Sequence, residues 1–299
     1  MADAPENLDQ LQQDLAQCGY VCGRDLATVV YLSQTLHRPL FLEGEAGVGK
    51  TALAQAIAAS QGRELIRLQC YEGIDASGAV YEWNFAAQML AMRGGAGEND
   101  IYSEKYLLKR GLLRAMEPTG NDAKPPVLLI DEIDRADAPF EAFLLEALSD
   151  YQVSVPELGV IKASTPPVVI LTSNRTREVH DALKRRCLYH WLDYPDFERE
   201  LEILNAQVPD INATLSAQVV GFIHALRGED FYKKPGLAET LDWAKCLVAL
   251  DVIALSPEVV CDTIGAVLKY QDDIAKITGG TAAKILESVR AEVAAQAAP

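Results

Sequence analysis

The amino-acid sequence predicts an α/β fold, in which helices flank a parallel sheet, followed by an all-α domain. Two patterns predict this fold. Up to residue 194, short apolar runs alternate with stretches of helical spacing and with glycine- or proline-rich loops, as in a parallel sheet covered on both faces. From Pro195 onward the apolar residues recur at helical spacing only. We therefore expect an α/β domain over residues 1–194 and a helical lid domain over residues 195–299.

Composition and charge limit the classes of protein to be considered. The chain has 299 residues, of which 49% are hydrophobic and 23% are charged, as in soluble globular proteins. No apolar run approaches the roughly 20 residues that span a bilayer, and the acidic segment 1–6 lacks the features of a secretory signal. The formal charge of −16 opposes contact with nucleic acid or anionic lipid. The sequence predicts a cytoplasmic protein with protein partners, without nucleic-acid binding or membrane insertion.

The six cysteines are scattered among mostly apolar neighbours, and no pair has the spacing of a structural metal site. The four histidines complete no ligand pattern either. We expect the cysteines to be reduced and the chain to lack a structural metal.

The elements of the first domain follow from hydrophobic periodicity and from loop signals. Leu8, Leu11 and Leu15 recur at helical spacing, and a second helical stretch covers residues 24–36. The segments predicted next are a strand at 40–42, a helix at 52–60, a strand at 64–70, an aromatic-containing segment at 72–93, a glycine-rich break at 94–97, a loop at 117–126, a strand at 127–130, a helix at 139–148, a hairpin at 153–161 and a strand at 168–171. The aromatic residues Tyr81, Trp83 and Phe85 are interpreted, on this pattern alone, as packing residues.

The second domain is predicted from four helical stretches and a final amphipathic segment. The helices are expected at residues 196–207, 216–227, 237–250 and 257–277, and the amphipathic segment follows Gly279 and Gly280.

A phosphate-binding loop lies between the first strand and the helix after it. Residues 44–51 read GEAGVGKT, a complete G-x-x-x-x-G-K-[ST] motif. Glycines let backbone N–H groups wrap closely around phosphate oxygens, and the N-terminus of the following helix adds its dipole. The residues predicted to bind nucleotide here are Gly44, Glu45, Ala46, Gly47, Val48, Gly49, Lys50 and Thr51. We expect Lys50 to reach the β- and γ-phosphates and the Thr51 hydroxyl to ligate Mg²⁺.

Two carboxylates, Asp131 and Glu132, directly follow the apolar run at 127–130. Ligands of an open α/β sheet bind at the carboxyl ends of its strands. We expect Asp131 to bind nucleotide and to hold Mg²⁺ together with Thr51, and Glu132 to activate the water that attacks the γ-phosphate. The second carboxylate favours hydrolysis over binding alone, and the chain has no N-K-x-D guanine signature. ATP is therefore the expected nucleotide.

A polar residue, Asn174, follows the apolar strand at 168–171. Its amide is predicted to hydrogen-bond the γ-phosphate and the attacking water. The alternative is an asparagine in a helix N-cap or turn, a position that this residue type favours.

A basic cluster, Lys184, Arg185 and Arg186, interrupts an otherwise acidic chain. One interpretation is a helix C-terminus, where cations complement the helix dipole. The other is an arginine finger, which projects into the active site of a neighbouring subunit and stabilises charge on the transferred phosphate.

In this order, the motifs resemble those of the AAA+ ATPases, specifically the MoxR family, over nearly the whole chain. Residues 131–136, DEIDRA, are similar to the extended Walker B motif of that family, and residues 143–148, FLLEAL, to its following helix. Residues 68–73, 172–177 and 184–191 resemble still more closely the CoxD-like ATPases, a branch associated with carbon monoxide dehydrogenase accessory proteins. The resemblance makes Arg186 the preferred finger and Arg185 the second choice.

The resemblance also implies an assembly and a task. Members of this family form hexameric rings that act as chaperones, usually with a partner carrying a von Willebrand A (VWA) domain, and their tasks include maturing or activating metalloenzymes and other complexes. It further implies that residues 71–85 form an extra loop and that this loop and the hairpin at 153–161 can face the ring's pore. One departure concerns the lid, where the family's sensor 2 arginine is missing: either Lys233 or Lys234 substitutes for it, or the lid senses the nucleotide differently.

Two functions from different classes are consistent with these residues. The first is a ring-forming ATPase that remodels or activates a protein client, such as a molybdenum-containing hydroxylase of the CO dehydrogenase type. The second is a nucleotide-dependent binding switch that turns ATP over too slowly to do mechanical work. Both use the same nucleotide pocket.

Overall fold

The computed structural model describes residues 7–94, 101–117, 124–156 and 158–296. The predicted N-terminal segment 1–6, residues 95–97 of the glycine-rich break, residues 118–123 of the predicted loop and Glu157 of the predicted hairpin lie outside these residues. Within the described ranges, no helix combines the length and the apolarity needed to cross a bilayer. The chain divides into two compact units, Met1–Gly44 with Lys50–Leu192 and Glu45–Gly49 with Asp193–Pro299.

Helices and strands alternate along the first unit. Its helices are α1 (Leu8–Gln17), α2 (Arg24–Thr35), α3 (Lys50–Gln61), α4 (Ala76–Val80), α5 (Phe85–Arg93), α6 (Gly111–Met116), α7 (Ala138–Asp150) and α8 (Asp181–Lys184). Its strands are β1 (Leu40–Gly44), β2 (Leu65–Gln69), β3 (Tyr81–Trp83), β4 (Leu107–Lys109), β5 (Val127–Asp131), β6 (Gln152–Val155), β7 (Gly159–Lys162), β8 (Val168–Ser173) and β9 (Leu188–Leu192).

Five of these strands form one parallel sheet in the order β2-β5-β8-β1-β9. The predicted α/β fold with a parallel sheet is thus confirmed. Because β8 lies between β5 and β1, the three strands whose carboxyl ends carry the sequence motifs are neighbours. The sheet has one strand more than predicted, since β9 is a partly exposed edge strand without the continuous apolar run of the central strands.

The central strands bury alternate residues in two hydrophobic clusters. Phe41 belongs to a cluster with Leu128 and Ile130, whereas Leu40 and Leu42 belong to a second cluster with α1, α2 and α3. Successive side chains of a strand point to opposite faces, so each cluster covers one face of the sheet. This burial on both faces explains why these strands are apolar at every position before their carboxyl ends.

The aromatic segment and the hairpin each form small antiparallel pairs. β6 pairs with β7, as predicted for residues 153–161, and β3 pairs with β4. Trp83 is buried in the core, which confirms it as a packing residue. Phe85 was wrongly interpreted as a packing residue, because its side chain is 64% exposed at the start of α5.

In the second unit, all described elements of secondary structure after residue 195 are helices, as predicted. The helices are α9 (Phe197–Gln207), α10 (Ala213–Gly228), α11 (Leu237–Ala249), α12 (Pro257–Thr263), α13 (Gln271–Lys276) and α14 (Ala282–Gln296). Phe222 and Trp243 pack ring against ring, 5.5 Å between centroids, in their core. The predicted continuous helix at 257–277 is wrong: α12 ends at Thr263 in a 3₁₀ turn containing Gly265, and glycine is a poor helix former.

Candidate functional site

The phosphate loop connects β1 to α3. Gly47 and Gly49 have φ angles of 79° and 98°, in the left-handed region that favours glycine, which accounts for glycine at these two positions of the motif. Lys50 is the first residue of α3 and is 6% exposed, and its Nζ donates a hydrogen bond to the Gly44 carbonyl at 2.8 Å. A buried ammonium group at the start of this helix suits the binding of a phosphate.

Asp131 ends β5 and is the hub of a polar cluster. It is 3% exposed and accepts hydrogen bonds from three side chains. The Thr51 hydroxyl lies 3.2 and 3.3 Å from its two oxygens, Arg67 donates from Nε and Nη2 to Oδ2 at 2.9 and 2.5 Å, and Thr172 donates to Oδ1. The structure therefore brings together Thr51 and Asp131, the two predicted Mg²⁺ ligands.

Glu132 directly follows β5 in the left-handed conformation, with φ 56° and ψ 50°. Its backbone N–H donates to the Thr172 hydroxyl at 3.0 Å, and its carboxylate pairs with Arg135 Nε at 2.8 Å. The side chain is 29% exposed, in contrast to the buried Asp131. A carboxylate with this exposure remains accessible to water, as a general base must be.

Asn174 follows β8 and is held through its backbone. Its N–H donates to Asp134 at 3.3 Å, and Asp134 also accepts from the backbone and the hydroxyl of Thr176. The side-chain amide of Asn174 makes no hydrogen bond to any described residue. Asn174 is therefore not a helix N-cap, but a bend follows it at residues 175–177, as the turn alternative predicts, and its contact with the γ-phosphate stays a prediction.

The basic cluster lies where α8 ends. Lys184 is the last residue of α8 and Arg185 is its C-cap, as the helix-terminus interpretation requires. Arg185 and Arg186 are both exposed, and the Arg186 guanidinium donates to the Leu145 carbonyl on α7 at 2.7 Å. The guanidinium of Arg38 fixes the turn by donating to the carbonyls of residues 185, 186 and 187 at 3.0, 3.2 and 3.2 Å.

Sequence reasoning missed four polar residues of this region: Glu43, Arg67, Asp134 and Thr172. Glu43 lies buried in β1 and accepts from Lys184 Nζ at 3.2 Å and from the Tyr189 hydroxyl at 3.0 Å. Burial and then this hydrogen bond raise the pKa of Tyr189. A charged or hydroxyl-bearing residue within an otherwise apolar strand is the signal that marks Glu43, Arg67 and Thr172 in the sequence.

The six cysteines form no disulfide bond. All six are free thiols, and Cys70 is buried next to the carboxyl end of β5. Burial, and then the charge of Asp131, raise the pKa of Cys70 to about 12, so the thiol stays protonated. Within the described ranges, no group of three histidine, cysteine or acidic residues has the geometry of a metal site.

In the second unit, the loop segment Glu45–Gly49 contacts the start of α11. The Ala238 N–H donates to the Gly47 carbonyl at 3.0 Å, and a Cβ added to Gly236 would lie 2.7 Å from the Ala46 carbonyl oxygen. Glycine is thus required at position 236 by this close approach. Lys233 and Lys234, the proposed substitutes for a sensor 2 arginine, are exposed and make no hydrogen bond to any described residue.

A buried ion-pair network stabilises the chain just before α11. Glu200 is fully buried and accepts from Arg227 at 2.6 and 2.9 Å and from the Thr240 hydroxyl at 2.6 Å. Arg227 Nε donates to the Pro235 carbonyl at 2.8 Å, and His224 Nε2 lies 2.9 Å from Glu200. The network therefore fixes the turn at Pro235, which precedes the glycine in contact with the loop segment.

The residues around Asp131 fit a magnesium ion. Mg²⁺ binds through one or two hard oxygen ligands of the protein together with phosphate and water oxygens. A threonine hydroxyl and a carboxylate within 3.3 Å of each other supply such ligands next to the phosphate loop.

Comparison with known proteins identifies the family. Residues 40–191 match the family described as "ATPase family associated with various cellular activities (AAA)". The gas vesicle ATPase GvpN of Haloferax mediterranei is 26% identical in an alignment 203 residues long, which covers 64% of this chain. The alignment covers 56% of that protein, so the similarity spans little more than half of the relative's length.

The chain is also similar to two solved structures of RuvB, a Holliday junction branch migration motor of Thermotoga maritima. One aligns with a TM-score of 0.45 and 16% identity, and covers 87% of this chain and 72% of the motor. A variant with a single proline-to-glycine substitution aligns with a TM-score of 0.49 and 17% identity, and covers 91% and 75%.

The matched region extends from the first residue of β1 to the last residue but one of β9. It contains the phosphate loop, the cluster around Asp131 and the turn with Arg186. Because the family match covers half of the chain and all of the parallel sheet except the last residue of β9, the chain belongs to the AAA ATPase family.

Proposed function

We propose that the cluster at the carboxyl ends of β1, β5 and β8 is the ATP hydrolysis site. The observation that carries this proposal is the continuous hydrogen-bonded path from Thr51 through Asp131 and Thr172 to the backbone of Glu132. It joins the residue after the phosphate-loop lysine to the candidate general base. In this proposal, residues 44–51 bind the phosphates of ATP, and Thr51 and Asp131 hold Mg²⁺, which would neutralise charge on the phosphate oxygens.

Each remaining residue has a role that its chemistry permits. Glu132 accepts a proton as the water oxygen attacks the γ-phosphorus and the bond to the β–γ bridging oxygen breaks. Lys50 donates to the phosphate oxygens, and the Asn174 amide donates to the γ-phosphate or orients the water. Arg186, or Arg185 in its place, stabilises the transferred phosphate from a neighbouring subunit.

We further propose that the protein is a MoxR-type chaperone of the CoxD-like branch. The motif DEIDRA and the helix after it support the family, and the similarity to a gas vesicle ATPase supports the ATPase core. On this proposal the chain forms a homo-oligomer, a hexameric ring, that works with a VWA-domain protein to activate a metalloenzyme client. The net charge of −16 favours a protein client over nucleic acid.

The substitution Glu132→Gln tests the hydrolysis site. It keeps the shape of the side chain and removes the base, so we expect ATP turnover to fall by about 10²–10⁴-fold while nucleotide affinity is retained. Phosphate release and binding of a fluorescent ATP analogue measure the two quantities. Glu146→Gln, an exposed residue on α7, is the matched control and should turn over ATP like the wild type. Turnover by Glu132→Gln at the wild-type rate would disprove the assignment.

The second candidate, a binding switch with slow turnover, predicts a different response of the same variant. A switch needs bound ATP and not its hydrolysis, so Glu132→Gln should keep or strengthen partner binding and downstream output. A remodelling ATPase should lose client activation while it still binds ATP. Client activity measured with both proteins therefore separates the two functions.

A further inference from the structure

The acceptor sites of Asp131 are all in use by donors of its own chain. An ionised carboxylate offers about four lone-pair sites, two on each oxygen. Oδ1 accepts from Thr172 and lies 3.2 Å from the Thr51 hydroxyl, and Oδ2 accepts from both Nε and Nη2 of Arg67. A metal ion, or a water bound to it, needs one of these lone pairs. Metal binding at Asp131 therefore requires that one donor leave.

Arg67 is the donor that can leave at the lowest cost. Thr172 is 1% exposed and also accepts from the Glu132 backbone, and Thr51 is itself a proposed ligand. The Arg67 side chain is 53% exposed, so water can solvate it after it leaves Asp131. A second acceptor is already in place, since Arg67 Nη2 also donates to Gln69 Oε1 at 2.5 Å.

We infer that Arg67 is a built-in competitor for Mg²⁺ at Asp131, and that metal binding is coupled to transfer of its guanidinium from Asp131 to Gln69. The fraction of molecules with Arg67 on Asp131 lowers the apparent metal affinity, because only the other fraction is competent to bind. Release of the guanidinium, which carries one positive charge, also offsets half of the charge that the divalent ion brings to Asp131. Arg67 thereby sets the Mg²⁺ concentration at which the site is filled. This inference rests on the proposed site.

The test is the affinity for a divalent ion, measured without hydrolysis. We expect Arg67→Gln to lower the Mn²⁺ concentration for half-saturation by about tenfold, in the range of a charge-assisted hydrogen bond. Mn²⁺ is titrated into the full-length protein with a saturating non-hydrolysable ATP analogue and followed by electron paramagnetic resonance. Arg67→Lys keeps a cation that makes fewer hydrogen bonds, so its half-saturation should lie between those of the wild type and Arg67→Gln.

Arg114→Gln is the matched control. Arg114 is 52% exposed, pairs with Glu64 and has no contact with Asp131, so its Mn²⁺ titration should equal that of the wild type. An unchanged or weaker Mn²⁺ affinity in Arg67→Gln, with nucleotide affinity retained, would overturn the inference and leave the proposed site intact. A wild-type protein that binds the ATP analogue without any Mn²⁺ at this site would refute the proposed site and the inference together.

Discussion

Thr172 shows how one hydroxyl can connect two functional carboxylates. It is 1% exposed, donates to Asp131 Oδ1 and accepts from the N–H of Glu132. The Thr172 hydroxyl thus both donates and accepts a hydrogen bond. Both bonds lie at the end of β5, where the backbone of the next residue, Glu132, is in the left-handed conformation. Buried polar groups of this kind are costly when a partner is removed, because the remaining groups cannot reach water.

Thr172→Val should therefore weaken both the fold and the site. Valine has the same shape without the hydroxyl, so the Glu132 N–H and one lone pair of Asp131 lose their partner. We expect the free energy of unfolding to fall by about 1–3 kcal/mol, measured by urea denaturation, with a parallel loss of ATP turnover. Thr172→Ser keeps the hydroxyl and should retain turnover, at a smaller loss of stability from the missing methyl group. Equal turnover in the valine and serine variants would contradict this account.

At the scale of elements, apolar runs in the sequence predicted the three central strands. The segments that follow these strands contain the predicted site residues: Lys50, Thr51, Asp131, Glu132 and Asn174. The partners of these residues were not predictable in the same way. Arg67 and Thr172 meet Asp131 because β2 and β8 flank β5, and strand order in the sheet cannot be derived from a local pattern. β9 was missed for a related reason, since an edge strand needs no apolar run.

The helical unit has its own polar element, the network of Glu200 in α9 with Arg227 and Thr240. Burial raises the pKa of Glu200, but hydrogen bonds from His224, Arg227 and Thr240 outweigh it, so the pKa lies below its ordinary value. A carboxyl with a lowered pKa in the folded state stabilises the fold above its unfolded pKa of about 4.3. This contribution is lost as the pH falls through the folded-state pKa.

Glu200→Gln should therefore destabilise the protein in a pH-dependent way. The substitution leaves Arg227, which is 9% exposed, without its counter-ion, and the expected loss at pH 7 is about 3–5 kcal/mol in the free energy of unfolding. The difference from wild type should begin to shrink as the pH falls below the unfolded-state pKa of about 4.3, and it should disappear only after the pH has passed the lower pKa of the folded Glu200. Denaturation curves at several pH values measure it, with the exposed Glu198→Gln on the same helix as control. A difference that is constant from pH 7 to pH 3 would refute the linkage.

At the scale of the whole molecule, we propose that a neighbouring subunit completes the hydrolysis site. Arg185 and Arg186 are exposed at the end of α8, on a turn that Arg38 fixes with three hydrogen bonds. Among the residues described, the Arg186 guanidinium makes one hydrogen bond, to the Leu145 carbonyl on α7 at 2.7 Å, and an exposed hydrogen bond of this kind is easily exchanged for a phosphate. A rigid turn that carries two exposed arginines suits a finger for a neighbouring subunit. On this proposal, specific ATPase activity rises with protein concentration as subunits assemble.

Mixing two inactive variants tests the composite site directly. Lys50→Ala removes the phosphate-binding lysine and Arg186→Ala removes the proposed finger, so each variant alone should hydrolyse little ATP. In a randomly mixed ring, an interface is intact when the subunit that binds ATP carries Arg186→Ala, because it keeps Lys50, and its neighbour carries Lys50→Ala, because it keeps Arg186. In an equal mixture, this holds for about a quarter of the interfaces. We therefore expect the mixture to recover up to about a quarter of wild-type turnover per subunit.

The control and the second arginine decide between the remaining interpretations. The control is a mixture of the double variant, which carries both Lys50→Ala and Arg186→Ala, with the single variant Lys50→Ala. No subunit of this mixture can bind ATP productively, so the mixture should stay inactive. If Arg185→Ala complements Lys50→Ala and Arg186→Ala alone remains active, Arg185 is the finger and the preference for Arg186 is wrong. If neither arginine variant loses turnover, the basic cluster serves only as the C-terminus of α8, whose dipole its cations complement.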